Sequence, residues 1–337
     1  MKKNPGRHSA LRRRVVAGAT ALAGLGWSGV RAQPAGTAAP LGQLRIGFQK
    51  SAVNLVVLKQ QAALEKRFAG TRVQWVEFPA GPQLLEALSV GSLEFGLTGD
   101  SPPVFAQSAG RELFYVGAEP PKPLSSAVLV PQGSPLRSLR DLKGRRIALQ
   151  KGSSSHYLLV RALEKAGLAW SDITPSYLPP SDARAAFEKG AIDAWVVWDP
   201  YYAATELDIK PGVLATGVGL SNNNSFYLAS KPLVQDHPGA VQALLAELTR
   251  ADAYVQSNRK EAAQLISDFS GLSLATVHLF LSRRPPSPVA PLGAALIADQ
   301  QRVADAFLKL GLIPRPVKVA DIVWSPARAR QLEAKAA

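Results

Sequence analysis

Within six consecutive residues, Lys151-Gly152-Ser153-Ser154-Ser155-His156 gathers a lysine, a glycine, three hydroxyls and a histidine. An apolar run with β character, Ile147, Ala148 and Leu149, precedes it. After it Leu159, Leu163 and Ala166 recur at helical spacing up to Gly167. The stretch therefore reads as a strand-to-helix turn. Gly152 permits positive φ or close backbone approach, and one of the serines can cap the helix. Free amides and a partial positive charge at a helix start suit an anion. An ordinary capped helix would look the same, so more than this one turn is needed. Hydrolysis is the competing chemistry. Adjacent Ser and His rarely align as nucleophile and base, however, and no G-x-S-x-G elbow is present. Nor is this a P-loop, since Lys151 precedes the glycine and no G-x-x-x-x-G-K occurs.

Three more polar turns of this kind follow apolar strands. Leu44 to Gln49 alternates as a first strand, with Lys50, Ser51 and Ala52 as its turn and a helix from Val53 to Phe68. Leu93 to Thr98 leads into Gly99-Asp100-Ser101-Pro102-Pro103, where Asp or Ser suits a cap and Pro a first helical turn. Ile192 to Trp198 leads into Asp199-Pro200-Tyr201-Tyr202. Between them lie strands at 72–78, 113–117, 127–130 and 173–178. Glu119-Pro120-Pro121-Lys122-Pro123 is too proline-rich for regular structure and reads as a stiff crossover. Asn222 to Ser225 is a candidate second crossover, and from Pro238 to Ala320 the chain is mostly helical. Alternating strands and helices imply an α/β fold with mostly parallel sheets. Ligands of such sheets bind outside the carboxyl ends of the strands, where all four turns fall. The crossovers divide the turns between two lobes facing across a cleft. Lobe 1 is expected at 44–122 and 225–324, and lobe 2 at 123–224.

The chain of 337 residues has a length that suits two domains, and 47% of it is hydrophobic, enough for large cores. Its formal charge of +14 is concentrated at the start. Lys2, Lys3, Arg7, Arg12, Arg13 and Arg14 precede a weakly apolar stretch, Val15 to Val30, and Val30-Arg31-Ala32 offers small residues for cleavage. Residues 1–32 are expected to be a removable secretory signal, of the Sec or twin-arginine type, with a flexible lead-in at 33–43 and a charged tail at 325–337. Removing seven basic residues from 39 leaves 32 against 25 acids, a net +7. That attracts small anions without calling for nucleic acid. There are no cysteines, hence no disulfide and no lipid-anchor site. The four histidines, His8, His156, His237 and His278, are scattered, so no structural zinc or other cofactor is implied. The expected state is a free periplasmic monomer.

Seven stretches in order resemble the periplasmic aliphatic sulfonate-binding proteins of bacterial ABC importers, within the nitrate/sulfonate/taurine-binding group. They are Arg45 to Lys50, Val76 to Gln83, Gly99 to Pro103, Val116 to Pro123, Gln150 to His156, Asp193 to Tyr202 and Ser225 to Ala229. The resemblance runs from Leu44 to Trp324. It implies a two-lobed flytrap (a type II periplasmic binding protein), an inner-membrane ABC permease as partner, a role in sulfur acquisition, and no catalysis. It also implies ligand contacts from Gln49, Asp100, Ser101, Ser153, Ser154, Ser155, His156 and Trp198 to Tyr201. Phe48 stands where many relatives carry Tyr, and Ser51-Ala52 where Gly is common.

Read by residue type, Gly152 to Ser154 should cradle the anion, and Lys50 should set the cleft potential. Asp100 and Asp199 are acids in an anion site, where helix capping is the expected role. Trp195 and Trp198 lie an odd number apart on one strand and so face opposite sides; Trp198, at the strand end, is assigned to the cleft. Trp198, Tyr201, Phe226 and Tyr227 are expected to wall the organic tail. Taurine, nitrate and an aromatic sulfonate remain alternative cargoes.

Overall fold

The computed structural model describes residues 41–325 and 327. The expected export signal, residues 33–40 of the lead-in and most of the tail lie outside the described residues. Strands β1 (Gln43–Phe48), β2 (Arg72–Glu77), β3 (Phe95–Gly99) and β4 (Phe114–Glu119) alternate with helices α1 (Val53–Gln60), α2 (Ala63–Arg67), α3 (Gly81–Ser89) and α4 (Ser101–Ser108). Then come β5 (Ser126–Val130), β6 (Arg146–Leu149), α5 (Ser154–Ala166), β7 (Thr174–Tyr177), α6 (Pro180–Glu188), β8 (Ala194–Trp198), α7 (Tyr201–Ile209) and β9 (Gly212–Thr216). The chain closes with β10 (Ser225–Ala229), α8 (Lys231–Asp236), α9 (Pro238–Ser257), α10 (Arg259–Ser270), α11 (Leu274–Ser282) and α12 (Ala294–Lys309). The helix expected over 53–68 is two helices. Ala62 takes a left-handed conformation, φ 47°, and interrupts the ladder.

Two five-stranded sheets form, ordered β2-β1-β3-β10-β4 and β7-β6-β8-β5-β9. β10 is antiparallel to both β3 and β4, and β5 to both β8 and β9. Four strands of each sheet therefore share a direction, and one reversed strand is inserted among them. The reversed strands are those that follow the crossovers. The chain leaves one sheet at the carboxyl ends of its strands. It enters the other sheet from the same side, so it must run away from that side. This places Ser125 and Ser225, at the heads of β5 and β10, beside the polar turns.

Apolar layers hold the sheets. Ile46, Leu58, Leu244 and Ile266 lie in the layer where α1, α9 and α10 cover the first sheet. Leu84, Val104, Phe226 and Phe307 form the opposite layer under α3, α4 and α12. Tyr157 and Val160 of α5 join this second layer, so an apolar seam links the two lobes. In the second sheet Ile147, Leu159 and Val196 pack on one face, and Trp195, Phe187 and Tyr202 on the other.

Candidate functional site

The carboxyl ends of β1, β3, β6 and β8 converge with both crossovers on one narrow cleft. Gln49, Gly99 and Pro102 line it from the first lobe, and Ser153, Ser154, Trp198 and Asp199 from the second. Lys122, Ser125, Asn223 and Ser225 line it from the crossovers, and Phe280 and Arg284 from the helical C-terminal part.

The serine turn is built as follows. Gly152 has φ +73°, a conformation glycine adopts without strain. Its N–H donates to His156 Nδ1 at 3.1 Å. Ser153 Oγ donates to the Gln150 carbonyl at 2.7 Å and lies 2.8 Å from Ser155 Oγ. No side chain caps α5, so its first-turn amides are not taken up by a cap. A Cβ at Gly99 would meet the Ser154 hydroxyl, which would have to rotate away.

Several expected site residues stand behind this wall. Ser155 and His156 are fully buried. The His156 ring sits among Trp170, Phe307 and Phe105, with centroids at 5.0, 5.1 and 6.1 Å. Burial, with Lys151 nearby, pushes its imidazole down to about 3, so it is neutral. Ser101 is buried and its hydroxyl donates to Asp100 Oδ1 at 2.8 Å. Asp100 is 1% exposed, and burial raises its carboxyl to about 6 against hydrogen bonds from Ser101 and Ser154. It supports Ser154 from behind. Lys50 donates to the Ser270 carbonyl at 2.9 Å, at the end of α10, and stands outside the cleft lining. Tyr201 packs edge-on against Trp198, ring centroids 6.1 Å apart, as its backing.

Phe226 and Tyr227 do not wall the cleft. β10 is an interior strand covered by helices on both faces, so these consecutive side chains enter opposite core layers, both at 0% exposure. On β8, Trp195 is core and Trp198 lines the cleft.

A buried ionic cluster, absent from the sequence expectation, sits on the same cleft. Glu119 accepts Arg284 Nη1 at 2.9 Å and Nη2 at 3.1 Å, Lys122 Nζ at 2.9 Å and the Tyr227 hydroxyl at 2.8 Å. Burial alone would raise the Glu119 carboxyl, but the charges of Arg284 and Lys122 outweigh it and hold it well below the usual carboxylate range. Buried Asp252 adds a second acid whose charge reaches both Arg284 and Lys122, so two cations face two carboxylates here. Sequence proximity could have flagged only the Glu119–Lys122 pair flanking the prolines. Arg284 arrives from 165 residues away. On lobe 2, Asp199 Oδ1 accepts from Ala203 N–H at 3.0 Å and from Arg283 Nη1 at 3.1 Å. Burial lifts Asp199 to about 7, against the pull of Arg283. Arg283 also pairs with Glu206, and its guanidinium lies 3.8 Å over the Tyr202 ring. The crossovers are tied together, with Lys122 N–H donating to the Asn222 carbonyl at 2.8 Å and Asn223 Nδ2 to the Lys122 carbonyl at 3.1 Å.

The family model described as NMT1/THI5 like matches residues 38–262. The chain belongs to this family. It is similar to the alkanesulfonate-binding protein SsuA from Xanthomonas axonopodis pv. citri bound to MOPS, with 49% identity, a TM-score of 0.82, and 84% of this chain and 98% of that one covered. It is also similar to the periplasmic aliphatic sulphonate binding protein SsuA from Escherichia coli, with 47% identity, a TM-score of 0.78, and coverage of 85% and 92%. The desulfurization enzyme DszB shares the fold at 16% identity, with a TM-score of 0.63 and coverage of 88% and 99%. The fold therefore hosts both binding and chemistry, and the residues of the cleft have to decide between them.

Proposed function

We propose that this protein is the periplasmic receptor of an ABC importer, capturing aliphatic sulfonates and delivering them to a permease for sulfur acquisition. The observation that carries this is the cleft itself, where the uncapped start of α5, with Ser153 and Ser154, shares one wall system with Lys122 and Arg284. A sulfonate spreads one negative charge over three oxygens and stays ionised at ordinary pH. Amides at a helix start, beside the Lys122 and Arg284 cations, suit it. Each hydrogen bond to the charged group contributes roughly 1.5–3 kcal/mol. Three or four such bonds support about 8 kcal/mol, near-micromolar binding, after ordering costs. Trp198, Phe280, Leu97 and Pro102 offer apolar surface to the organic tail. The SsuA relatives, at 47–49% identity, carry the same cargo class in their names.

Turnover has no support from the same residues. The Ser153 hydroxyl is committed to a backbone carbonyl, and His156 Nδ1 is occupied by the Gly152 amide, so no Ser–His pair is formed. The protein acts as a monomer that binds and releases. Isothermal titration of the ligand-stripped protein tests the reading, with methanesulfonate to octanesulfonate, taurine, nitrate and sulfate as the panel. Saturable binding of alkanesulfonates is expected. Binding of nitrate or taurine alone would keep the receptor role and overturn the cargo.

A further inference from the structure

The run Asn222-Asn223-Asn224 in the second crossover lies in neither a helix nor a strand. A segment without a backbone ladder has to take its position from side chains. Asn223 and Ser225 line the cleft, whereas Asn222, Asn224 and Asp299 of α12 stand outside that lining. Asn222 Nδ2 and Asn224 Nδ2 both donate to Asp299 Oδ2, at 2.7 and 2.6 Å. Asn223 sits between these two anchors with φ 48°, a left-handed conformation that Asn adopts more readily than most residues. Its Nδ2 ties back to the Lys122 carbonyl of the first crossover. One carboxylate thus fixes the chain on either side of a residue that lines the cleft.

The next residue on α12 anchors the adjoining wall. Gln300 is fully buried, and its Nε2 donates to the Asp100 carbonyl at 2.5 Å, where β3 passes into α4. Ser225 pairs with Gly99 in the sheet, so the two anchored points are neighbours across the ladder. Arg302 Nη2 donates to Asp299 Oδ1 at 2.6 Å, about one helical turn further along. Val303, Ala304 and Phe307 sink the same helix into the core, which makes it a firm base.

Building on the sulfonate reading, we propose that Asp299 is a positioning residue for ligand capture, holding the second crossover in the conformation that presents Asn223 and Ser225 to the anion. A crossover that kept this conformation only about one-tenth of the time would bind about tenfold more weakly. Charge alone predicts the opposite sign. The field of the Asp299 carboxylate reaches Asp100 at the end of β3. Removing an acid from the neighbourhood of an anion site should tighten binding.

The test is isothermal titration with 1-butanesulfonate, with melting curves to show that each variant is folded at the titration temperature. Asp299→Ala is expected to bind about tenfold more weakly than the unmodified protein. Asp299→Asn keeps an oxygen for the two amides and is expected to stay within about threefold. Asn222→Ala with Asn224→Ala breaks the same bonds from the other side and should match Asp299→Ala. This pair leaves α12 intact and carries the test if Asp299→Ala fails to fold. Combining all three changes should weaken binding no further than either set alone, because they remove one set of contacts. Equal or tighter binding by Asp299→Ala or by the asparagine pair, an Asp299→Asn protein as weak as Asp299→Ala, or about hundredfold weakening in the combined variant would each overturn the proposal. Failure of the unmodified protein to bind any alkanesulfonate from methanesulfonate to octanesulfonate would instead overturn the receptor reading on which it rests.

Discussion

Replacing Glu119 by Gln should move stability and ligand affinity in opposite directions. The Glu119 side chain is 1% exposed and is the carboxylate that pairs directly with Arg284 and Lys122, whose side chains are 2% and 9% exposed. Gln keeps the shape and one acceptor oxygen but turns an amide N–H₂ towards donors. Two buried cations are then left without their carboxylate. Breaking a buried pair by removing one partner costs about 3–5 kcal/mol, a large share of the roughly 5–15 kcal/mol that holds a folded protein together. At roughly 2–4 °C per kcal/mol for chains of about this size, melting should fall by about 10 °C. Both stranded cations line the cleft, so the same change raises its positive potential, and alkanesulfonate affinity should rise by a factor of about ten or less. Differential scanning calorimetry with and without ligand reads both effects, because a tighter ligand restores more of the lost stability. The pH dependence adds a signed check. Since the Glu119 carboxyl is held below its usual range, its stabilisation is complete above the unfolded value near 4.3 and is lost as pH falls through the folded one. Acid unfolding of the unmodified protein should therefore be steeper below pH ~4 than that of the Gln variant. A melting loss equivalent to under ~1 kcal/mol, or a weaker sulfonate affinity, would refute the account of the cluster.

Ser153→Ala with Ser154→Ala removes the bonds to Gln150 and Asp100 that fix the turn, so sulfonate binding should weaken about 10-fold in titration while melting stays within a few degrees, because the helix amides remain. Gly99→Ala should weaken binding from outside the serine turn by a smaller factor, since its methyl displaces the Ser154 hydroxyl alone; unchanged affinity would mean that the placement of Ser154 does not matter to the ligand. His156 is buried neutral with its imidazole lowered to about 3. The unfolded chain therefore binds the extra proton between pH ~6.5 and 3, and stability should decline as pH falls through that window. His156→Asn, which keeps an acceptor for Gly152, should flatten that slope in urea titrations at pH 7 and pH 4.5.

Local chemistry made much of this molecule legible in the chain. Short-range pattern places β1 to β8, because alternation and turn residues act within a few positions. It also locates the four polar turns, since a parallel strand that feeds a helix must expose its turn at the carboxyl edge. Ser153, Ser154, Gln49 and Trp198 reach the cleft from those turns by local geometry alone. Sheet order was decided elsewhere. The reversed strands β5 and β10 follow from where the crossovers enter, a property of two lobes meeting and not of any one segment. That insertion is what buries Phe226 and Tyr227, aromatic residues that by type alone suit a ligand wall. It also brings Glu119 at the end of β4 to Arg284 across 165 positions and closes a charge cluster with no footprint in local spacing. Helix starts, glycine turns and strand faces were set by neighbouring residues. The balance of charge in the cleft exists only because distant segments exclude water around the same few side chains.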